Sequence, residues 1–296
     1  MGEFGSDRRC ALDAAVLAAV ADLGARGIPA PEVLFLMATG VGMVPIHMQG
    51  GVRLPLGKVA GVPPVWSQVL LHAGRIGDTS VWVIEDAPGL PEHGSSIPLD
   101  EAPWVRGFPC WLAAFAGAAL CVHTSAGQAL PAQDAVAIEP GTLALASDHI
   151  NLSGRTPLLG LGDSKLGPLF PDQSRLHHAA LRQTALALAP RLHVPVREAV
   201  VACTLGPALD TPAERRFWAF AGAQVAVQNL ATPVLACAHS GLALLGIVAV
   251  TDDGDGPREM GTIVAAADKL APAIEELLVE LAPELKRAAA ELGVDA

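Results

Sequence analysis

The chain has no tyrosine, and its seven phenylalanines and five tryptophans are thinly spread over 296 residues, so any site it builds has few rings to stack on a ligand. It is also short of positive charge. Nineteen Lys and Arg stand against 30 Asp and Glu, a net charge of −11, and the basic residues form no cluster of the kind that grips a phosphate backbone. Gly, Pro or a charge interrupts every apolar run before the ~18 residues of a membrane span. The early segment VLAAVADLGARG carries Asp22 and Arg26, which makes it a helix and not a secretory leader. Five scattered cysteines (Cys10, Cys110, Cys121, Cys203, Cys237) suit neither a disulfide framework nor a zinc site. They point to buried free thiols in a reducing cytoplasm. No Gly-Lys-Ser/Thr follows the Gly turn ATGVG, so it is not a Walker loop, and no Gly-x-Ser-x-Gly elbow exists. TDDGDG (251–256) lacks the glutamate of a calcium loop and reads as a turn.

What is present is a large core. Hydrophobic residues make up 51% and charged residues 17%, too apolar for disorder. The opening MGEFGS reads as an appended tag, so residues 1–9 are set aside and 10–296 are taken as a single domain, without repeat or linker. Strand-like runs at 33–39, 81–86, 118–124, 142–148, 198–204 and 242–251 alternate with helix-like stretches at 10–25, 102–116, 174–190, 212–221, 232–240 and 258–291. The pattern predicts an α/β fold, a central mixed β-sheet covered by helices on both faces. The last helix carries Pro272 and Pro283, where a bend is expected.

In such sheets ligands collect beyond the carboxyl ends of the strands. Five loops there are small and polar: ATGVGM, TSAGQ, SDHINLSG, GPALD and TDDGDG. Within GPALDTPAERR (206–216), Thr211, Pro212 and Glu214 form a capping box with proline at the first helical position. Asp210, just outside, has no such local task; it is a solvated loop acid or a site residue. In SDHINLSG the side chains of Asp148, His149 and Asn151 are expected to bond backbone groups and fix the loop. His177, His178 and His239 show no metal-ligand spacing, and no metal is expected.

Taken in order, SDHINLSGRTPLLG (147–160), GPLFPDQS (167–174), GPALDTPAERR and GLALLGIVAVTD (241–252) resemble the trimeric purine nucleoside phosphorylases and their methylthioadenosine phosphorylase branch, with weaker support from MQG (48–50) and TSAGQAL (124–130). The resemblance spans about residues 31–285. It implies one domain with a distorted, partly barrel-like mixed sheet, a cytoplasmic homotrimer, and phosphorolysis of a purine nucleoside to base and pentose 1-phosphate, with phosphate as co-substrate and no cofactor. It implies base contacts from Asp210 and Asp252, the latter favouring 6-aminopurines. Phosphate and sugar would meet Thr39, Arg53, Ser125, Ala126 and Gly127, with Leu209, Gln228 and Asn229 in the remaining family positions.

The sequence departs from the family in the pocket. Where the family has arginine, any residue and histidine after MQG, this chain has Gly51, Val52 and Arg53. Asn229 replaces a phosphate-binding hydroxyl, Gln228 a methionine, and Pro55, Leu166 and Leu209 replace rings. Three functions stay open at this point: a phosphorylase with a rebuilt phosphate site, a glycosidic-bond enzyme using water or another acceptor, and a nucleoside-binding protein without catalysis.

Overall fold

A computed structural model describes residues 10–37, 44–86, 102–132, 137–162, 164–228, 230–254 and 259–294. Thr39, Asn229 and the expected tag at 1–9 lie outside the described residues. The helices are α1 (Ala11–Ala25), α2 (Phe108–Ala116), α3 (Ala179–Leu188), α4 (Pro212–Phe220), α5 (Ala231–Ser240) and α6 (Met260–Val294). The strands are β1 (Val33–Met37), β2 (Gln49–Pro55), β3 (Leu70–Ile76), β4 (Thr79–Glu85), β5 (Leu120–Ala129), β6 (Leu143–Asn151), β7 (Val196–Thr204), β8 (Val225–Gln228) and β9 (Ala243–Asp252).

All nine strands join one mixed sheet in the order β2-β3-β4-β1-β5-β8-β7-β6-β9. A further parallel pairing of β9 with β5 closes the last five strands into a barrel. The expected α/β fold with a partly barrel-like sheet is therefore observed. Alternation along each strand sorts side chains into two cores. Leu34, Leu36, Cys121, Ala144 and Val248 face α1, α2 and α5, while Val33, Phe35, Val122, Leu145 and Ile247 face α3 and α6. Both faces being covered, β1 and β9 are apolar almost throughout.

Three strands were not expected from the sequence, their apolar runs being absent or only two to three residues long. β2 (QGGVRLP) lies at the sheet edge and is mostly exposed, β3 is only partly buried, and β8 has four residues. At 174–178 the expected helix is absent; it starts at Ala179, where the His178 ring accepts the Leu181 N–H. α6 runs unbroken through Pro272 and Pro283. Ile274, Leu277, Leu278, Leu281 and Leu285 line its buried face at helical spacing, and that burial outweighs the roughly 3 kcal/mol an internal proline costs. Four cysteines are buried and all five are free, as the composition implied.

Candidate active site

The carboxyl ends of β5 and β9, strand β8, the β7–α4 loop and the first turn of α6 enclose an open cavity of about 190 Å³. Its wall is largely apolar, from Ala126, Leu209, Ala226, Met260 and Ile263. Gln128, Asp210, Gln228, Thr251 and Asp252 supply its polar groups. No Lys or Arg occurs among the described lining residues.

Each polar group is positioned by a local cause. The Thr211 hydroxyl accepts the Glu214 N–H at 3.3 Å and Glu214 Oε2 accepts the Thr211 N–H at 2.7 Å, so the capping box fixes where α4 begins and leaves Asp210 at the rim. Gln128 Nε2 donates to Asp210 Oδ2 across the cavity edge. Gln228 Nε2 donates to the Ala208 carbonyl at 2.7 Å, which ties the β7–α4 loop down to β8. Thr251 Oγ1 lies 3.0 Å from Asp252 Oδ2 and 3.1 Å from the Gly127 carbonyl, either of which can take its proton. Gly127 allows the barrel to close at this point. A Cβ there would sit 2.7 Å from Val248, 2.8 Å from Val227 and 2.9 Å from the Ala226 carbonyl. Beneath the floor the buried Arg215 donates to the Ala129 carbonyl at 3.3 Å, and its guanidinium packs against Gly254. One α4 side chain thus braces the ends of both β5 and β9.

Of the residues singled out in the sequence, Asp210, Asp252, Ala126, Gly127, Leu209 and Gln228 meet at this cavity. Arg53 and Ser125 do not line it. Arg53 is exposed on β2, four strands from β5, and is held opposite His72 by the β2–β3 register. There, burial first and the Arg53 charge second push the His72 imidazole below its usual range. Ser125 is buried beside the cavity, its Oγ 3.2 Å from His123 Nδ1, and His123 Nε2 lies 2.9 Å from Asp86 Oδ2. This chain of side chains, from the end of β4 to the middle of β5, was not foreseen, although His123 lies within a quoted strand. Gln128 was within reach too, as the last residue of TSAGQ. Met260 and Ile263 had no signal, because only the path of α6 brings them to the cavity.

Of SDHINLSG, expected as a loop, residues 147–151 instead extend strand β6, because they pair in parallel with β7; the expected side-chain to backbone bonds are partly present. Asp148 accepts the His149 N–H, Asn151 Oδ1 accepts the Ser153 N–H, and Asn151 Nδ2 donates to the Arg155 carbonyl. The His149 ring instead meets His177, a partner that sequence spacing did not give either histidine.

Comparison with known proteins identifies the family and the fold. The model of the phosphorylase superfamily matches residues 122–283. Purine nucleoside phosphorylase 1 of Geobacillus stearothermophilus is 28% identical over 228 residues, 76% of this chain and 80% of that protein. The purine nucleoside phosphorylase of Cellulomonas sp is 31% identical, over 71% of this chain and 73% of the relative. The fold is shared with isoform 2 of Schistosoma mansoni purine nucleoside phosphorylase in complex with cytosine and ribose-1-phosphate. That structure has a TM-score of 0.80 at 18% identity and covers 94% of this chain and 97% of its own.

Proposed function

Because this chain belongs to the purine nucleoside phosphorylase family within the phosphorylase superfamily, we propose that it cleaves the N-glycosidic bond of a purine nucleoside by phosphorolysis, releasing base and pentose 1-phosphate. The observation that carries this reading is the meeting of Asp210 and Asp252 at one cavity beyond the ends of β5 and β9. A phosphate oxygen attacks C1′ as the base departs with the electrons of the C1′–N9 bond, through a transition state with oxocarbenium character. Two carboxylates suit the N–H groups of a 6-amino substituent, which has donors only, and a carboxyl that holds a proton can donate to N7 as charge builds on the ring. A 6-aminopurine nucleoside is therefore the proposed substrate. Binding depends on polar contacts and aliphatic walls more than on stacking, since no described lining residue is aromatic.

Arg53 does not line the cavity and stands four strands from β5 in the sheet, which is why the phosphate is not given to it. We assign that side of the site to Ser125 and Ala126 on β5, where the Asp86–His123 pair orients the serine hydroxyl. Phosphate is the co-substrate and no cofactor is needed. The chain is proposed to work in the cytoplasm as a homotrimer. Among the described residues no helix is long and apolar enough to cross a membrane, and Leu152, Leu159, Leu169 and Phe170 present exposed apolar surface suited to a subunit contact.

The deciding assay incubates the protein with adenosine, inosine and 5′-modified adenosines, with and without phosphate, and follows free base and sugar 1-phosphate. Base release that requires phosphate is expected. That none of the described lining residues is cationic favours one other reading, water as the nucleophile, and base release without phosphate would establish it in place of ours. Tight nucleoside binding without turnover would leave a binding protein. Ser125→Ala should raise the KM for phosphate about tenfold, the loss of roughly one hydrogen bond to a charged group, whereas Arg53→Ala should leave it within twofold.

A further inference from the structure

Far from the cavity, beside the start of β9, three ligand-bearing side chains converge. His149 Nδ1 on β6 and His177 Nε2 lie 3.0 Å apart, and Asp148 Oδ1 lies 4.0 Å from His149 Nδ1. The donor atoms of all three fall within 4.8 Å of one another. We infer that Asp148, His149 and His177 form a binding site for a divalent transition-metal ion of the zinc class, two imidazoles and a carboxylate from the protein with water in the remaining positions.

The geometry supports this in three ways. Two nitrogens 3.0 Å apart, each about 2.1 Å from an ion, subtend roughly 90° at it, the angle between neighbouring ligands in a five- or six-coordinate site. The frame is rigid: Asp148 and His149 are held opposite Val200 and Val201 by the β6–β7 register. On the other side an isolated bridge sets His177 against Leu244, and Arg182 donates to its carbonyl at 2.8 Å. The cluster is also open on one side. The Asp148 side chain is 72% exposed, which gives its carboxylate room to turn inward and an ion a way in from solvent.

The electrostatics agree. Burial foremost, then the neighbouring imidazole, pushes His177 down to about 4, and burial lowers His149 as well, so both rings are neutral at pH 7 and offer lone pairs. His177 Nδ1 is buried with no hydrogen-bond partner, so the ring's only polar engagement is at the cluster. Gln173 lies close to His149, though its buried Oε1 makes no aligned hydrogen bond. Without metal, one proton sits between the two facing nitrogens. Ligation moves it to a far ring nitrogen, a change of tautomer with no net proton release. The ion would clip the outer half of β6 to the segment leading into α3. A second cluster, the sulfurs of Cys110, Cys121 and Cys237, is fully buried, and the hydrogen bonds among its thiols followed by burial leave these groups well above the ordinary thiol range, so it is a poor competitor for the ion.

Chelator-stripped protein titrated with Zn²⁺ by calorimetry should show one site per chain, with no heat for Mg²⁺. Bound Co²⁺ should give visible bands of nitrogen and oxygen ligation without the intense thiolate band. His149→Gln and His177→Gln should abolish binding, and Asp148→Asn, at an exposed position that does not endanger folding, should weaken it at least tenfold. The absence of saturable Zn²⁺ binding, binding unchanged in Asp148→Asn and His149→Gln, or a thiolate band with Co²⁺ would overturn the inference.

Discussion

Asp252 and Asp210 differ in how they are engaged, and the difference suggests separate tasks. Asp210 accepts from Gln128 and so has a carboxylate oxygen already oriented, while Asp252 lies beside the Thr251 hydroxyl on the strand end. Asparagine at 252 presents a donor as well as an acceptor, which suits a 6-oxo group. Asp252→Asn should therefore lower the kcat/KM ratio of adenosine to inosine at least tenfold, about 1.4 kcal/mol of discrimination. Steady-state kinetics on both nucleosides checks this, and an unchanged ratio would remove Asp252 from base recognition. At another residue the fold depends on a neutral ring. His239 is buried, and its Nδ1 accepts the Trp111 indole N–H at 3.0 Å, which a proton on that nitrogen would forbid. Burial holds the imidazole below its ordinary 6.5, with Asp13 opposing the shift. The unfolded chain thus binds the proton first. This contribution to stability is complete above pH 6.5 and is lost as pH falls below it. Thermal melts from pH 8 to 5 should show a falling Tm, with a shallower fall for His239→Gln.

At the level of elements, the junction of β7 with α4 is the most instructive. Its sequence encodes both a helix start and a site residue, and the two are coupled: the capping box decides where the helix begins and hence where Asp210 stands. Thr211→Ala removes the cap, so it should destabilise the protein by about 1 kcal/mol and also raise the nucleoside KM. Chemical denaturation and kinetics on the same variant test both halves. A stability loss with unaltered KM would show that the cap does not set the position of Asp210. α6 plays a comparable double part, since the helix that covers one core face also brings Met260 and Ile263 to the cavity.

At the level of the molecule, closure of β5 through β9 makes the site. The β5–β9 pairing brings TSAGQ and the end of β9 together, and β8, inserted antiparallel to β5, carries Gln228 to the same wall. The proposed homotrimer is the next scale up. Leu169 and Phe170 are 68% and 87% exposed and adjacent, an apolar surface suited to the proposed subunit contact. Light scattering after gel filtration should give about three times the 30.4-kDa chain mass, and Phe170→Ser should lower it. A monomeric wild-type chain would refute the trimer.

The sequence by itself determined the fold class, six of the strands, the α4 cap and the pairing of two acids with two particular loops. These follow from local periodicity, capping chemistry and the rule that ligands sit at strand ends. The exposed edge strand β2, the short β8, the remoteness of Arg53, the Asp86–His123–Ser125 chain and the His149–His177 contact were decided only by tertiary structure. Each depends on which strand lies beside which, and sheet order is a property of long-range packing that no local run of residues encodes.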